Sequence, residues 1–286
     1  MAEKQLVNDQ AADDTLIRFL LPEAHTRGIM IRGAHIFAEA ARIHRLNAAD
    51  ELVFGQSLLA SILLLSISKG GMRQVLQLDA STTGNTPWQR ILAETRQGSV
   101  RGYINRNVSN ETITATTIDS RLGNHVRIST VRDLGFGHPY ISTIEHESPF
   151  FADHLIHYLA QSAQIRADII LHGNLAIMIE AMPGCDEGHW FKAVETMAGI
   201  PDSALAGETS EVLLKYFDKL RCKEAGRDSY GYHCACNPEM MANAIHAMPP
   251  EQLDGMVDGC GQITVTCQYC GNHYSIPHSV NPDRLQ

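Results

Sequence analysis

Seven cysteines stand in this 286-residue chain, and four of them form two tight pairs near its end, Cys234-Ala235-Cys236 and Cys267-Gln268-Tyr269-Cys270. Two close pairs separated by 30 residues can place four thiolates around one tetrahedral zinc at about 2.3 Å each. The second pair runs into Gly271, which permits a tight knuckle turn whose backbone amides point at the sulfurs. Strand-forming residues at 263–266 lead in and residues 274–276 lead out, so a short hairpin is expected to carry the knuckle. The first pair has one intervening residue, and both its sulfurs can reach one metal if the chain is extended there. The competing reading is four ordinary buried cysteines, or two disulfides. Four of seven cysteines in two pairs argue against chance, and in a reducing compartment such spacing favours metal. His233 and His273 flank the pairs and could replace a sulfur, but four cysteines already complete a closed site.

Little else in the chain could do chemistry. There is no Gly-x-x-x-x-Gly-Lys-Ser/Thr phosphate loop and no Gly-x-Ser-x-Gly elbow. Gly135-Phe136-Gly137 is half a dinucleotide fingerprint, and His138-Pro139 follows where a helix should begin, so it reads as a turn. His154 and His157, beside Asp153, share a helix face, which is more often solvated than metal-binding. Cys185, Cys222 and Cys260 read as small unliganded thiols, with Cys260 near enough to Cys267 to serve as a spare ligand or resolving thiol. No acid–base or nucleophilic set assembles, so no enzyme is expected.

The elements that must position the cysteines follow from periodicity. Strands are expected at 15–21, 28–32, 75–78, 90–95, 100–104, 112–118, 125–131, 139–144, 167–171 and 175–181, with turns at Thr83-Gly84-Asn85 and His172-Gly173-Asn174. Helices are expected at 34–46, at 50–68 closed by Lys69-Gly70-Gly71, and at 148–165 with Ser148 as N-cap and Pro149 as N1. Strands and helices that do not alternate regularly predict an α+β domain over 14–182. Pro183-Gly184 opens a helical linker over 183–232, with helices near 190–197 and 210–221 and a polar, flexible lead at 226–232. Val212, Leu213, Tyr216, Phe217 and Leu220 form an apolar stripe on the second helix, expected to pack on a neighbouring domain at rest. The zinc module then occupies 233–286.

Composition bounds the partners. A net charge of −9 argues against a general polyanion binder. Residues 233–286 carry five acids (Glu239, Glu251, Asp254, Asp258, Asp283) and one base (Arg284), the wrong sign for a nucleic-acid-binding zinc ribbon. A thiol–disulfide oxidoreductase would need Cys267 to open a helix, whereas Gly271-Asn272 and a strand follow. The apolar stretch 58–67 is interrupted by Ser61 and Ser66 and reads as a buried helix, so no membrane association is expected. The first residues show no signal core and no Arg-rich transit character, which predicts a cytoplasmic protein.

The cysteine pattern, with Gly271-Asn272-His273-Tyr274 and a spacer at 243–256, resembles the redox-regulated 33-kDa heat-shock chaperonin family. Arg18-Phe19-Leu20, Arg101-Gly102-Tyr103, Tyr158-Leu159-Ala160-Gln161-Ser162 and Leu213-Leu214-Lys215-Tyr216-Phe217 resemble family stretches too, so the likeness covers nearly the whole chain. The chain departs from the family at Cys260 and in its polar 222–232 segment. The resemblance implies an ATP-independent holdase, monomeric and inactive when reduced with one Zn2+ per chain. It implies that Cys234, Cys236, Cys267 and Cys270 are both ligands and redox thiols, that oxidation forms two disulfides and releases zinc, and that the oxidised protein dimerises and holds unfolding clients. Should oxidation pair Cys234 with Cys236 and Cys267 with Cys270, the module loses the metal's folding free energy, of order 10–16 kcal/mol in small zinc peptides. Leu213, Tyr216 and Phe217 are the candidate client-binding residues.

Overall fold

The computed structural model describes residues 14–68, 70–81, 86–107, 114–253 and 255–277. The chain divides into two compact units, Met1–Tyr232 and His233–Gln286. In the first, β1 (Asp14–Leu21) and β2 (Thr26–Arg32) are joined by a 3-10 turn at Pro22–Ala24. Helices α1 (Ala34–His44) and α2 (Ala48–Ser66) follow, then β3 (Arg73–Ala80), β4 (Trp88–Arg96) and β5 (Ser99–Arg106). A short α3 (Asp119–Leu122) precedes β6 (His125–Asp133), β7 (Tyr140–Glu147) and α4 (Phe151–Tyr158). The hairpin β8 (Ala167–His172) and β9 (Leu175–Ala181) leads to α5 (Glu187–Ala198), α6 (Asp202–Gly207), α7 (Ser210–Leu214), a 3-10 stretch at Lys215–Leu220, and β10 (Lys223–Tyr232).

Ten strands form one mixed sheet in the order β7-β6-β3-β4-β5-β10-β1-β2-β9-β8. Neighbours are antiparallel except β5 and β10, whose parallel pairs Gly231–Ser99 and Tyr232–Val100 join the two halves. The apolar runs of β1, β2 and β9 reflect burial on both faces. Leu16, Ile29, Ile31, Ala176 and Met178 enter a core with α1, α2 and α4. Phe19, Leu21, Met30, Leu175, Ile177 and Ile179 point the other way, against α5, α6, α7 and the 3-10 stretch. Gly28 lies opposite Phe19, whose ring fills the side-chain space: a Cβ at Gly28 would come within 2.2 Å of it. Helix α2 starts at Asn47, whose side chain accepts from Asp50 N at 2.9 Å. It is long and apolar enough to cross a membrane, yet its buried residues run from Ala49 to Leu65, as in a core helix.

The architecture is α+β, as expected, and most elements lie where periodicity puts them. Three places differ. Described residues 114–118 form no strand and lead into α3; residues 112–113, the 83–85 turn and Lys69 lie outside the described residues. Helix α4 begins at Phe151 because the Ser148 hydroxyl accepts from Phe150 N, two residues on, at 3.1 Å and donates to Asp153 at 2.7 Å. That bonding satisfies a turn rather than a helix start. The helix then widens into a π turn at Leu159–Ala163, stopped by Gln164 at φ 55°. The lead expected at 226–232 is the inner strand β10: its polar residues face outward while Tyr230 and Tyr232 are buried. Tyr232 Oη lies 2.9 Å from His44 Nε2 and donates to the Gly102 carbonyl at 2.9 Å, pinning the strand end to β5.

In the second unit, α8 (Pro238–His246) and a short α9 (Pro250–Leu253) precede a two-stranded hairpin, β11 (Gln262–Thr266) and β12 (His273–Pro277). Its core is small: Ile245, Leu253, Ile263 and Ile276 form the buried apolar cluster, with Met241, Ala242, Met248, Val257 and Val265 packed on it.

Candidate metal centre

Cys234 and Cys236 lie in the extended segment just ahead of α8, which Asn237 caps by accepting from Met240 N at 2.9 Å, with Pro238 in the first turn. The cap fixes where the helix starts and keeps both cysteines in non-helical backbone, the conformation a one-residue spacing requires. Cys267 and Cys270 sit in the turn between β11 and β12, closed by Gly271 N donating to Cys267 O at 2.8 Å and Cys267 N donating to Asn272 O at 2.9 Å. Gly271 has φ 74°, the left-handed region a glycine enters without strain. The amides of Tyr269 and Cys270 donate to the Cys267 sulfur, and that of Asn272 to the Cys270 sulfur, as expected of a knuckle turn.

The four sulfurs all lie within 4.8 Å of one another, and this is the one such ligand group among the described residues. Cys234 and Cys267 Sγ are 3.7 Å apart, and Cys236 and Cys270 Sγ 3.3 Å. Bonds of 2.3 Å in a regular tetrahedron put donors about 3.8 Å apart, whereas a disulfide needs about 2.05 Å. None of the seven cysteines is in a disulfide, and the paired four suit a tetrahedral ion that prefers sulfur. Cys267 is buried and its three partners are half-buried.

Without a metal the cluster still prepares one thiolate. Burial alone would push the Cys236 thiol up. Hydrogen bonds from the Tyr274 hydroxyl, at 3.1 Å, and from the other three thiols outweigh it and bring Cys236 down to about 7. Burial raises Cys267 and Cys270, and the neighbouring sulfurs add to it against the lowering by the turn amides. His273 is occupied with Thr266 Oγ1 at 2.8 Å, and neither it nor His233 belongs to the sulfur group.

The other candidate residues lie elsewhere. Cys260 is exposed in the turn before β11 and outside the ligand group. Cys222 is half-buried, and its thiol is pushed up to about 11 by burial and then by Asp218 and Glu224. Cys185 donates to the Ala24 carbonyl at 3.4 Å, and burial raises it also. Leu213 and Phe217 are fully buried, with the Phe217 ring 5.3 Å from that of Phe19, while Tyr216 keeps 39% exposure. His154, expected on a solvated face, is instead fully buried in a histidine cluster with His146 and His157. Its Nε2 lies 3.0 Å from the Ser148 backbone carbonyl, a group that every residue carries and that gave no signal in the sequence.

The chain is similar over most of its length to known proteins. The 33 kDa chaperonin of Geobacter sulfurreducens is 26% identical over 283 residues, covering 92% of this chain and 91% of that one. That of Desulfotalea psychrophila is 27% identical, covering 91% and 93%. The crystal structure of the 33 kDa chaperonin (heat shock protein 33 homolog) of Thermotoga maritima shares the fold, with a TM-score of 0.75 at 21% identity over 92% of this chain and 94% of that one. A family model described as Hsp33 protein matches residues 14–277, and the chain therefore belongs to the Hsp33 family.

Proposed function

We propose that the chain is an ATP-independent holdase whose four-cysteine cluster is a redox switch. In the reduced cytoplasmic form Cys234, Cys236, Cys267 and Cys270 hold one zinc ion, the protein is monomeric, and the apolar stripe is covered. The observation that carries this reading is the convergence of four sulfurs within 4.8 Å in a chain of a chaperonin family. Thiolates bound to a metal are the form that oxidants attack. Forming two disulfides takes four electrons from four thiolates, which two equivalents of peroxide accept as they are reduced to water. The donors are then gone, and the small core around Ile245, Leu253, Ile263 and Ile276 is left to hold the second unit alone. Loss of order there and in the proposed linker 183–232 frees Leu213, Tyr216 and Phe217 for clients and favours a dimer. The work is binding rather than catalysis, and neither nucleic acid nor membrane is a partner.

The test is zinc content and release under peroxide, at normal and raised temperature, alongside protection of an aggregating client. One zinc per chain, released as protection appears, is the expected result. Zinc that stays bound under oxidant, or leaves with no gain in protection, makes the site purely structural.

A further inference from the structure

Nine large apolar side chains are exposed among the described residues, and four of them gather at one corner of the sheet domain. Met72, Phe136, Tyr140 and Ile141 are 58%, 76%, 60% and 75% exposed. Their proximity follows from the register. Met72 N bonds to Asp133 O, Ile141 pairs with Val131, and Met72 lies against the β6–β7 turn, where a Cβ on Gly135 would come within 2.9 Å of its Cγ. Arg132 lies over the Tyr140 ring at 5.1 Å, so Phe136, Ile141 and Met72 are the open members.

This corner adjoins a sheet edge. β7 ends the strand order, and among the described residues no strand pairs with its outer side. An edge presents a row of main-chain donors and acceptors, and an extended segment is what satisfies them. One side of β7 is taken: Ser142 contacts Ser162, Ile144 packs on the core, and His146 meets His154. The other side runs from Ile141 through Thr143 to Glu145 and Glu147, all exposed. Glu145 keeps 59% of its side chain in solvent and lies 3.3 Å from His125, while Arg127 across from it reaches Asp79 instead. The edge is therefore apolar at one end and acidic at the other.

We infer that the outer edge of β7 is a docking site for an extended polypeptide segment that carries apolar residues at one end and lysine or arginine at the other. Cross-strand neighbours lie about 5 Å apart and same-face residues recur every second position, so the basic residues stand about four to six positions from the apolar one. The edge is open with no cysteine in a disulfide, so docking is expected of the reduced chain. This inference rests on the chaperone reading only for the class of partner. It differs from the switch in surface and in redox dependence.

The experiment uses the full chain, kept reduced with zinc supplied, and fluorescence anisotropy of a labelled peptide of alternating valine and threonine with two lysines at one end. Binding is expected, weakened about tenfold by Ile141→Lys and by Phe136→Ser, each of which removes contact area worth roughly 1.5 kcal/mol or more. Replacing the peptide lysines by glutamate should weaken binding similarly, and the Glu145→Lys, Glu147→Lys double variant should restore it. No binding by the reduced chain overturns the proposal, as does equal affinity in both single variants. Sedimentation showing that the reduced chain dimerises through Ile141 and Phe136 overturns it too, making a second copy the occupant. Failure here with intact oxidative activation leaves the switch standing; peptide binding without activation leaves the docking site standing alone.

Discussion

Among the described residues, His154 is the one fully buried histidine, and its bonding fixes its protonation. Nε2 lies 3.0 Å from the Ser148 carbonyl, which accepts only, so that nitrogen carries the hydrogen. Nδ1 must then accept from His146 Nδ1, 3.1 Å away, while the His146 ring stacks on His157 with centroids 4.2 Å apart. A proton added to His154 would set two N–H groups against each other. Burial first, then the neighbouring His146, push the imidazole down to about 4, against the opposing pull of Ser148 and Asp153. In the unfolded chain the same group takes its proton near 6.5. Between these values the unfolded state binds more protons, so stability falls as pH falls from about 6.5 and the loss is complete below about 4. The loss is at most roughly 3 kcal/mol. Urea unfolding at pH 7.5 and pH 5 should show a larger acid loss for the native sequence than for His154→Gln; parallel losses in both would remove His154 as the cause. Sequence placed this residue on a helix face but not its burial, because the β7 residues that cover it come from a separate element.

At the scale of elements, strands and helices with their own apolar period were legible, and the hairpin of the metal centre was too. β10 was not, since only its last three residues, Tyr230 to Tyr232, are buried and its place depends on β1, more than 200 residues earlier, as the Arg18–Asp228 contact shows. The stripe at Leu213 and Phe217 was legible as apolar, and its covering by Phe19, Met30 and Ile177 follows from the two-sided burial of the sheet. Truncating a buried phenylalanine costs about 3–5 kcal/mol. Phe217→Ala should therefore loosen α7 and the following 3-10 stretch more than the distant β3–β4 hairpin. Hydrogen exchange should rise across 210–220 with little change at 73–80, and in the switch mechanism client protection should appear at lower temperature. Uniform exchange changes along the chain, or none, would mean that the stripe does not hold this segment down.

For the whole molecule, the two compact units differ in what holds them. The first has cores on both faces of a ten-stranded sheet, with apolar side chains from every layer. The second has four buried apolar side chains around a hairpin and a helix, each contributing roughly 1.5–3 kcal/mol. Zinc at a four-thiolate site contributes about 10–16 kcal/mol in small peptides, comparable with all four together. The cysteine spacing made the four-sulfur cluster legible, because paired cysteines announce themselves in the sequence; the strand order was not legible, because it rests on long-range pairing. Removing metal with a chelator under reducing conditions should therefore act on one unit. Amide protection in β11 and β12 should collapse and the Cys267 thiol should become fully reactive, while the sheet of the first unit keeps its protection and its own cooperative melting transition. Simultaneous loss of protection in both units would instead mean that the metal supports the whole chain. Unchanged protection in β11 and β12 would mean that the small core suffices, and that releasing the metal cannot by itself throw a switch.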